Sequence, residues 1–305
     1  MTRFIHDKFA KDYLEQILQP YGKVTPSAKV AGEIQEVDIL FNPSVSQNLS
    51  LDTLGLLGKF TEFPALIEPF RNPVSEDEIC DCLEKLLRVR GVLRREAKRN
   101  NASLQDSEIP KLWILTPTIS ESKLSKLNVS AKEDWLTGIY FIGDILRTAI
   151  VRIHQLPRTS ETLWLRLLGR GTVQQQAIEE ISLLSPDHPF QKATLELIYN
   201  LRENLKINQN LEEDDRELIM RLEPLYQQDR EQAKQEGRQE GRQEGRQEGE
   251  RLVVENLLKV RFGSLDEELQ TIIEPILALT PEEFTPLLIQ LSREELIQRF
   301  SIENI

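Results

Sequence analysis

Apolar residues near the start of the chain recur at Phe9, Tyr13, Ile17 and Leu18, a helical spacing that Pro20 and Gly22 bring to a stop. The first element expected is therefore an amphipathic helix. From Lys23 to Phe41 the period changes to two. Val37, Ile39 and Phe41 share one face, Glu36, Asp38 and Leu40 share the other, and Asn42 with Pro43 ends the run. Two strands are expected there, joined by a turn near Ala31 and Gly32. A third is expected at Ala65 to Phe70, between Pro64 and the turn residues Arg71, Asn72 and Pro73. Ser75 followed by Glu76, Asp77 and Glu78 is a helix start, with a capping hydroxyl and acids against the positive end of the helix dipole. Ile79, Leu83, Leu86 and Leu87 carry its apolar face. Leu112 to Leu115 and Ile139 to Ile142 read as strands, while Ala149 to Ile153 fits either a strand or a helix. This order predicts an α/β or α+β fold with a mixed central sheet flanked by helices.

After Pro157 the pattern turns helical, over Thr162 to Leu168, Val173 to Leu184, Leu195 to Leu205 and Asp215 to Tyr226. Between Gln235 and Glu250 the chain becomes a tetrad repeat, Gln-Glu-Gly-Arg, with glycines at 237, 241, 245 and 249. On a helix of 3.6 residues per turn, a period of four lines each residue type into its own slowly winding ridge. Like charges then meet four residues apart, and each glycine costs about 1 kcal/mol relative to alanine, so such a helix gains from a partner. A partner copy would interleave Arg238, Arg242 and Arg246 with Glu240, Glu244 and Glu248, which makes a homo-oligomer through the repeat an expectation. The last fifty residues hold three or four short amphipathic runs, with Thr280-Pro281-Glu282-Glu283 and Ser292-Arg293-Glu294-Glu295 as successive helix starts. The expected division is a core over 1–160, a helical extension over 161–226, the charged repeat over 227–250 and a small all-helical domain over 251–305.

Composition narrows the function classes. A formal net charge of -12 argues against a protein that coats nucleic acid with its whole surface, so DNA contact would need local basic patches. Two such runs exist: Lys85, Arg88, Arg90, Arg94, Arg95, Lys98 and Arg99, and more loosely Arg147, Arg152, Arg158, Arg166 and Arg170. A solvated helix face explains the first run equally well. Cys80 and Cys82, the only cysteines, are spaced for neither a disulfide framework nor a zinc site and read as thiols in a reducing compartment. The first residues carry charges throughout, unlike a secretory signal, and the most apolar stretch, Gly138 to Ile153, is broken by Asp144, Arg147 and Arg152. A cytoplasmic protein with no membrane partner is expected. His6, His154 and His188 lack companions at ligand spacing, Trp113, Trp135 and Trp164 read as core or its rim, and no nucleophile elbow, P-loop or dinucleotide fingerprint is present.

The informative pair is Asp38 and Glu68, each at or near a strand end. Hard cations such as Mg²⁺ take carboxylate oxygens, and two acids on adjacent strands can converge on one ion, although acids at strand ends are more often simply solvated. His6-Asp7-Lys8-Phe9-Ala10-Lys11, Glu36-Val37-Asp38-Ile39 and Leu66-Ile67-Glu68-Pro69-Phe70-Arg71 resemble the recombination-promoting nuclease, or transposase-like, branch of the PD-(D/E)XK superfamily. The stretches Val151 to Pro157 and Leu163 to Gly171 resemble bacterial members that carry this core, and the tail from about Arg251 to Phe300 is similar to a helical domain of unknown function often attached to it. The resemblance implies a restriction-endonuclease-like fold, with Asp38 and Glu68 as Mg²⁺ ligands and the Pro69 carbonyl as a third oxygen. The position of the superfamily's lysine, two residues after the glutamate, is Phe70 here. Arg71, which would point to the opposite face unless Pro69 introduces a bulge, and Lys85, on the next helix, are the candidate phosphate-facing cations. Two functions stay open: a Mg²⁺-dependent DNA endonuclease, and a catalytically degenerate nuclease-fold protein that acts as an oligomeric scaffold or binding module.

Overall fold

The computed structural model describes residues 2–29, 36–44, 51–208 and 211–300, so the turn expected near Ala31 and Gly32 lies outside the described residues. The chain divides into two compact units, Met1–Leu225 and Tyr226–Ile305.

The first unit is a mixed α/β assembly. Helix α1 (Thr2–Leu18) buries Phe9, Tyr13, Ile17 and Leu18, the residues whose spacing announced it. Strands β1 (Gly22–Lys29), β2 (Glu36–Pro43) and β3 (Ala65–Pro69) follow, with the short helix α2 (Leu56–Phe60) between the last two. Helix α3 (Glu76–Arg99) leads to β4 (Lys111–Thr116), α4 (Glu121–Lys126), β5 (Ile139–Ile142) and β6 (Thr148–Arg152). The segment left open between strand and helix, Ala149 to Ile153, is thus almost wholly strand. Its residues pair with β4 on one side and β5 on the other, through Ile150 with Ile114 and with Tyr140. The six strands lie in the order β1-β2-β3-β4-β6-β5. β3, β4 and β6 run parallel, and β1, β2 and β5 pair antiparallel with their neighbours.

Helices cover both faces, as parallel strands require. On one face Ile39, Phe41, Ile67, Trp113, Leu115 and Val151 share a core with α1 and with the helices that follow the sheet, α5 (Leu163–Arg166), α6 (Thr172–Ser182) and α7 (Gln191–Lys206). On the other, Leu66, Leu112, Ile114 and Ile150 pack against Ile79, Cys82 and Leu86 of α3 and Leu124 of α4. The start of α3 is a complete capping box: the Glu78 amide donates to the Ser75 hydroxyl, and the Ser75 amide donates to the Glu78 carboxylate. Such a box contributes about 1 kcal/mol and sets the helix phase, which decides the face that Lys85 presents.

The second unit has its own core. Val254 and Leu258, from the end of helix α8 (Glu213–Phe262), join side chains of α9 (Glu267–Thr271), α10 (Ile273–Leu277), α11 (Pro281–Gln290) and α12 (Arg293–Phe300). Thr280 forms a capping box with Glu283, and Ser292 exchanges hydrogen bonds with Glu295, so both expected helix starts are present. The tetrad repeat is helical and lies within α8. Among the described residues no helix is long and apolar enough to cross a membrane.

Candidate functional site

The register of β2 on β3 pairs Phe41 with Ala65, Leu40 with Leu66 and Ile39 with Ile67. One further step along the same register sets Asp38 opposite Glu68. Leu66 belongs to the core beneath α3, so Glu68, two residues on, points to that side of the sheet. The Asp38 amide donates to Glu68 Oε1 at 3.2 Å. Lys85 reaches down from α3, its Nζ 2.8 Å from Glu68 Oε2. Lys11, on α1, bonds Asp38 Oδ1 at 2.9 Å and its own helix neighbour Asp7 at 3.1 Å. Two carboxylates on adjacent strands are therefore flanked by two ammonium groups, each on a different helix.

Glu68 is only 1% exposed. Burial first, and the charge of Asp38 second, push its carboxyl up to about 7 against the pull of Lys85. Burial would lower the Lys85 ammonium, but the charge and hydrogen bond of Glu68 outweigh it and hold it above its ordinary value. Lys11 is raised in the same way, with Asp38 and Asp7 overcoming its burial. The Cys82 thiol, one helical turn before Lys85, is pushed far up by burial and by Glu68, which leaves it protonated and inert.

Arg71 follows a different course from Lys85. Phe70, in the position of the superfamily lysine, packs against the core beneath α3. Arg71 bonds the Gly169 carbonyl and Gln174 Oε1, both at 3.2 Å, and forms an ion pair with Asp215 at 3.0 Å. His6 Nε2 lies 2.8 Å from the same Asp215 oxygen. Burial, with the charge of Arg71 adding to it, keeps the imidazole below its ordinary value despite Asp215, so a neutral ring donates this bond near pH 7. Beside it Arg170 pairs with Asp214 and Glu212. Arg71 and Asp38 line one cleft together with Arg3, Asp7 and Gln174, whereas Glu68 and Lys85 line an adjoining one that also includes Asp38.

The looser basic cluster is neutralised by acids. Arg147 pairs with Asp106, Arg152 with Glu121, Arg158 and Arg166 with Glu180, and Arg170 as above. In the dense cluster Arg88 pairs with Glu84, but Arg94, Arg95, Lys98 and Arg99 are exposed and form no ion pair among the described residues. Trp113 and Trp164 are buried in the core, and Trp135 packs at its rim.

Sequence reasoning assigned no role to Lys11 or Asp215. The spacing of Asp7 and Lys11, four apart on a helix, signals a surface pair, and nothing in it points across to β2. Asp215 lies 209 residues from His6, beyond any local pattern.

Among the described residues no three His, Cys, Asp or Glu side chains gather around one metal position. The pair Asp38 and Glu68 still fits a hard dication. Its donors are carboxylate oxygens, burial first and the charge of Asp38 second raise Glu68, and Mg²⁺ commonly binds one or two carboxylates and keeps several waters. Comparison with protein-family models, with curated proteins and with solved structures gives no match to this chain.

Proposed function

We propose that this chain is a Mg²⁺-dependent DNA endonuclease of the PD-(D/E)XK type, with Asp38 and Glu68 as the metal ligands and Lys85 as the cation that meets the scissile phosphate. The observation that supports it most is the Glu68 carboxylate, directly across from Asp38 on the next strand, with the Lys85 ammonium 2.8 Å away. Lys85 thereby supplies from α3 the positive charge absent at Phe70. A bound Mg²⁺ would make its water a better nucleophile and offset charge on the developing phosphorane. Arg71 is committed to Asp215 and serves to fix the chain leaving β3. Plasmid nicking in the presence of Mg²⁺ tests the reading. Asp38→Ala, Glu68→Ala and Lys85→Met should each lower the rate by about 100-fold or more, as loss of a group that stabilises transition-state charge does. Glu36→Ala, exposed on β2, should leave it unchanged. Intact plasmid over a range of salt and metal would overturn the reading in favour of a catalytically degenerate scaffold.

A role in self-association draws on a different observation. From residue 227 to 249 the described side chains of α8 are exposed, and nothing lies within 4 Å of a Cβ built on any of the four repeat glycines. Arg238 and Arg242 form no ion pair among the described residues, while Arg246 reaches Glu250, the last residue of the repeat. A second copy in antiparallel contact would supply acids to these arginines and cover the glycine ridge. Sedimentation of the full chain should then give a mass of at least a dimer that falls when residues 235–250 are deleted; an unchanged mass would rule out this contact.

A further inference from the structure

At the end of the sheet opposite Glu68, the first residues of β4 and β6 and the end of β5 border a cleft of about 520 Å³. Its lining brings together Arg90 of α3 and Arg147, one member of each basic run in the sequence, along with Lys111 and Lys132. Against these four cations stand Asp106 and Asp144. Asp106 is engaged by Arg147 and Asp144 by Lys132, so Arg90 and Lys111 are in surplus. Arg90 forms no hydrogen bond or ion pair among the described residues, and the Lys111 ammonium lies over the Phe63 ring, 4.6 Å from its centroid. Cations gathered at one end of the sheet in excess of the acids beside them favour an anion there.

We propose that this cleft binds a phosphoryl group, held chiefly by Arg90, Lys111 and Arg147. A phosphate brings several acceptor oxygens and up to two negative charges, matching the two cations in surplus. The local field agrees: burial first, then the charges of Arg147 and Lys132, lowers the Lys111 ammonium against the pull of Glu62 and Asp106, and a bound anion would add to that pull. Apolar and aromatic neighbours, Phe141 and Ile142 among them, give the site a low-dielectric wall that strengthens each contact. The site is independent of Asp38 and Glu68 and needs no metal.

Titration calorimetry of the full chain with pyrophosphate, in the presence of EDTA so that no cation bridges the anion to the carboxylates, tests this. One site per chain is expected, weakened about tenfold or more by Arg90→Gln and by Lys111→Gln, the loss that goes with one charge-assisted hydrogen bond. Arg90 has no partner among the described residues, so its replacement removes no internal ion pair. Arg94→Gln, on the exposed side of α3, should bind as the wild type does. A trinucleotide with a 5′-phosphate binding more tightly than pyrophosphate would identify the ligand as a polynucleotide end; weaker binding would identify it as a free phosphorylated molecule. Absence of pyrophosphate binding, or equal losses in Arg90→Gln and Arg94→Gln, would overturn the proposal.

Discussion

Asp215→Ala should destabilise the first unit by about 3–5 kcal/mol, the cost of removing one partner from a buried ion pair. Asp215 is 1% exposed and holds two groups on one carboxylate, the Arg71 guanidinium and the His6 ring. Without it Arg71 keeps only the Gly169 carbonyl and Gln174 as acceptors, and a buried cation loses its counterion. Burial alone would raise the Asp215 carboxyl, but His6 and Arg71 more than offset it and hold it below the ordinary range. The pair's stability is therefore present above the unfolded carboxylate value and lost as pH falls through the lower folded one. Urea unfolding at pH 7 measures the effect. Asp215→Asn, which keeps an acceptor but no charge, should fall between wild type and alanine, and the double variant Asp215→Ala with Arg71→Met should recover part of the loss. A cost below about 1 kcal/mol for the alanine variant would mean that water reaches Arg71 and that the cluster does not tie the start of α8 to the sheet.

The contrast between Asp215 and Asp38 shows which parts of this molecule a single sequence makes legible. Asp38 and Glu68 sit in strands whose alternation and flanking turns are strong, so the strands and their adjacency follow from local pattern, but the faces only in part: Val37, expected beside Ile39 and Phe41, packs instead with Leu66 in the core beneath α3. The expected mixed sheet with flanking helices, the long helix and the helical tail are all present. The buried face of α3 was legible only in part: Ile79 and Leu86 enter the core as expected, but Cys82 does so too, whereas Leu87 is exposed. Helices α2 and α4, five and six residues long, were not expected, because one turn and a half is too short to establish a helical period. Gly55, at φ 52°, starts α2 beside the backbone of Glu161, where a Cβ would lie 2.4 Å from the carbonyl oxygen, a constraint set by a residue more than a hundred positions away. Lys11 and Asp215 belong to the same class. Their partners were chosen by how α1 and α8 dock on the sheet, and docking leaves no periodic trace in the sequence.

Glu68 should make the metal-free protein less stable as pH rises, the reverse of an ordinary paired carboxylate. Its folded value of about 7 lies above the unfolded value near 4.5, so between these two the native state binds the extra proton. Stability from this group is then fully present below about 4.5, declines through the interval and is lost above about 7, by about 3 kcal/mol in all. Glu68→Gln mimics the protonated form and keeps its shape. With EDTA present it should match the wild type near pH 4 and exceed it by about 3 kcal/mol at pH 8. Mg²⁺ should narrow that gap at pH 8, because binding to ionised Glu68 and Asp38 stabilises the wild type by mass action, whereas the Glu68→Gln variant lacks one ligand charge. Below about pH 7 a proton must leave as the ion binds, so the apparent affinity should fall about tenfold for each further pH unit. If denaturation midpoints of wild type and Glu68→Gln instead run parallel from pH 5 to pH 8, then Lys85 alone compensates Glu68 as a closed ion pair. The carboxylates would in that case have no unspent repulsion with which to attract a dication.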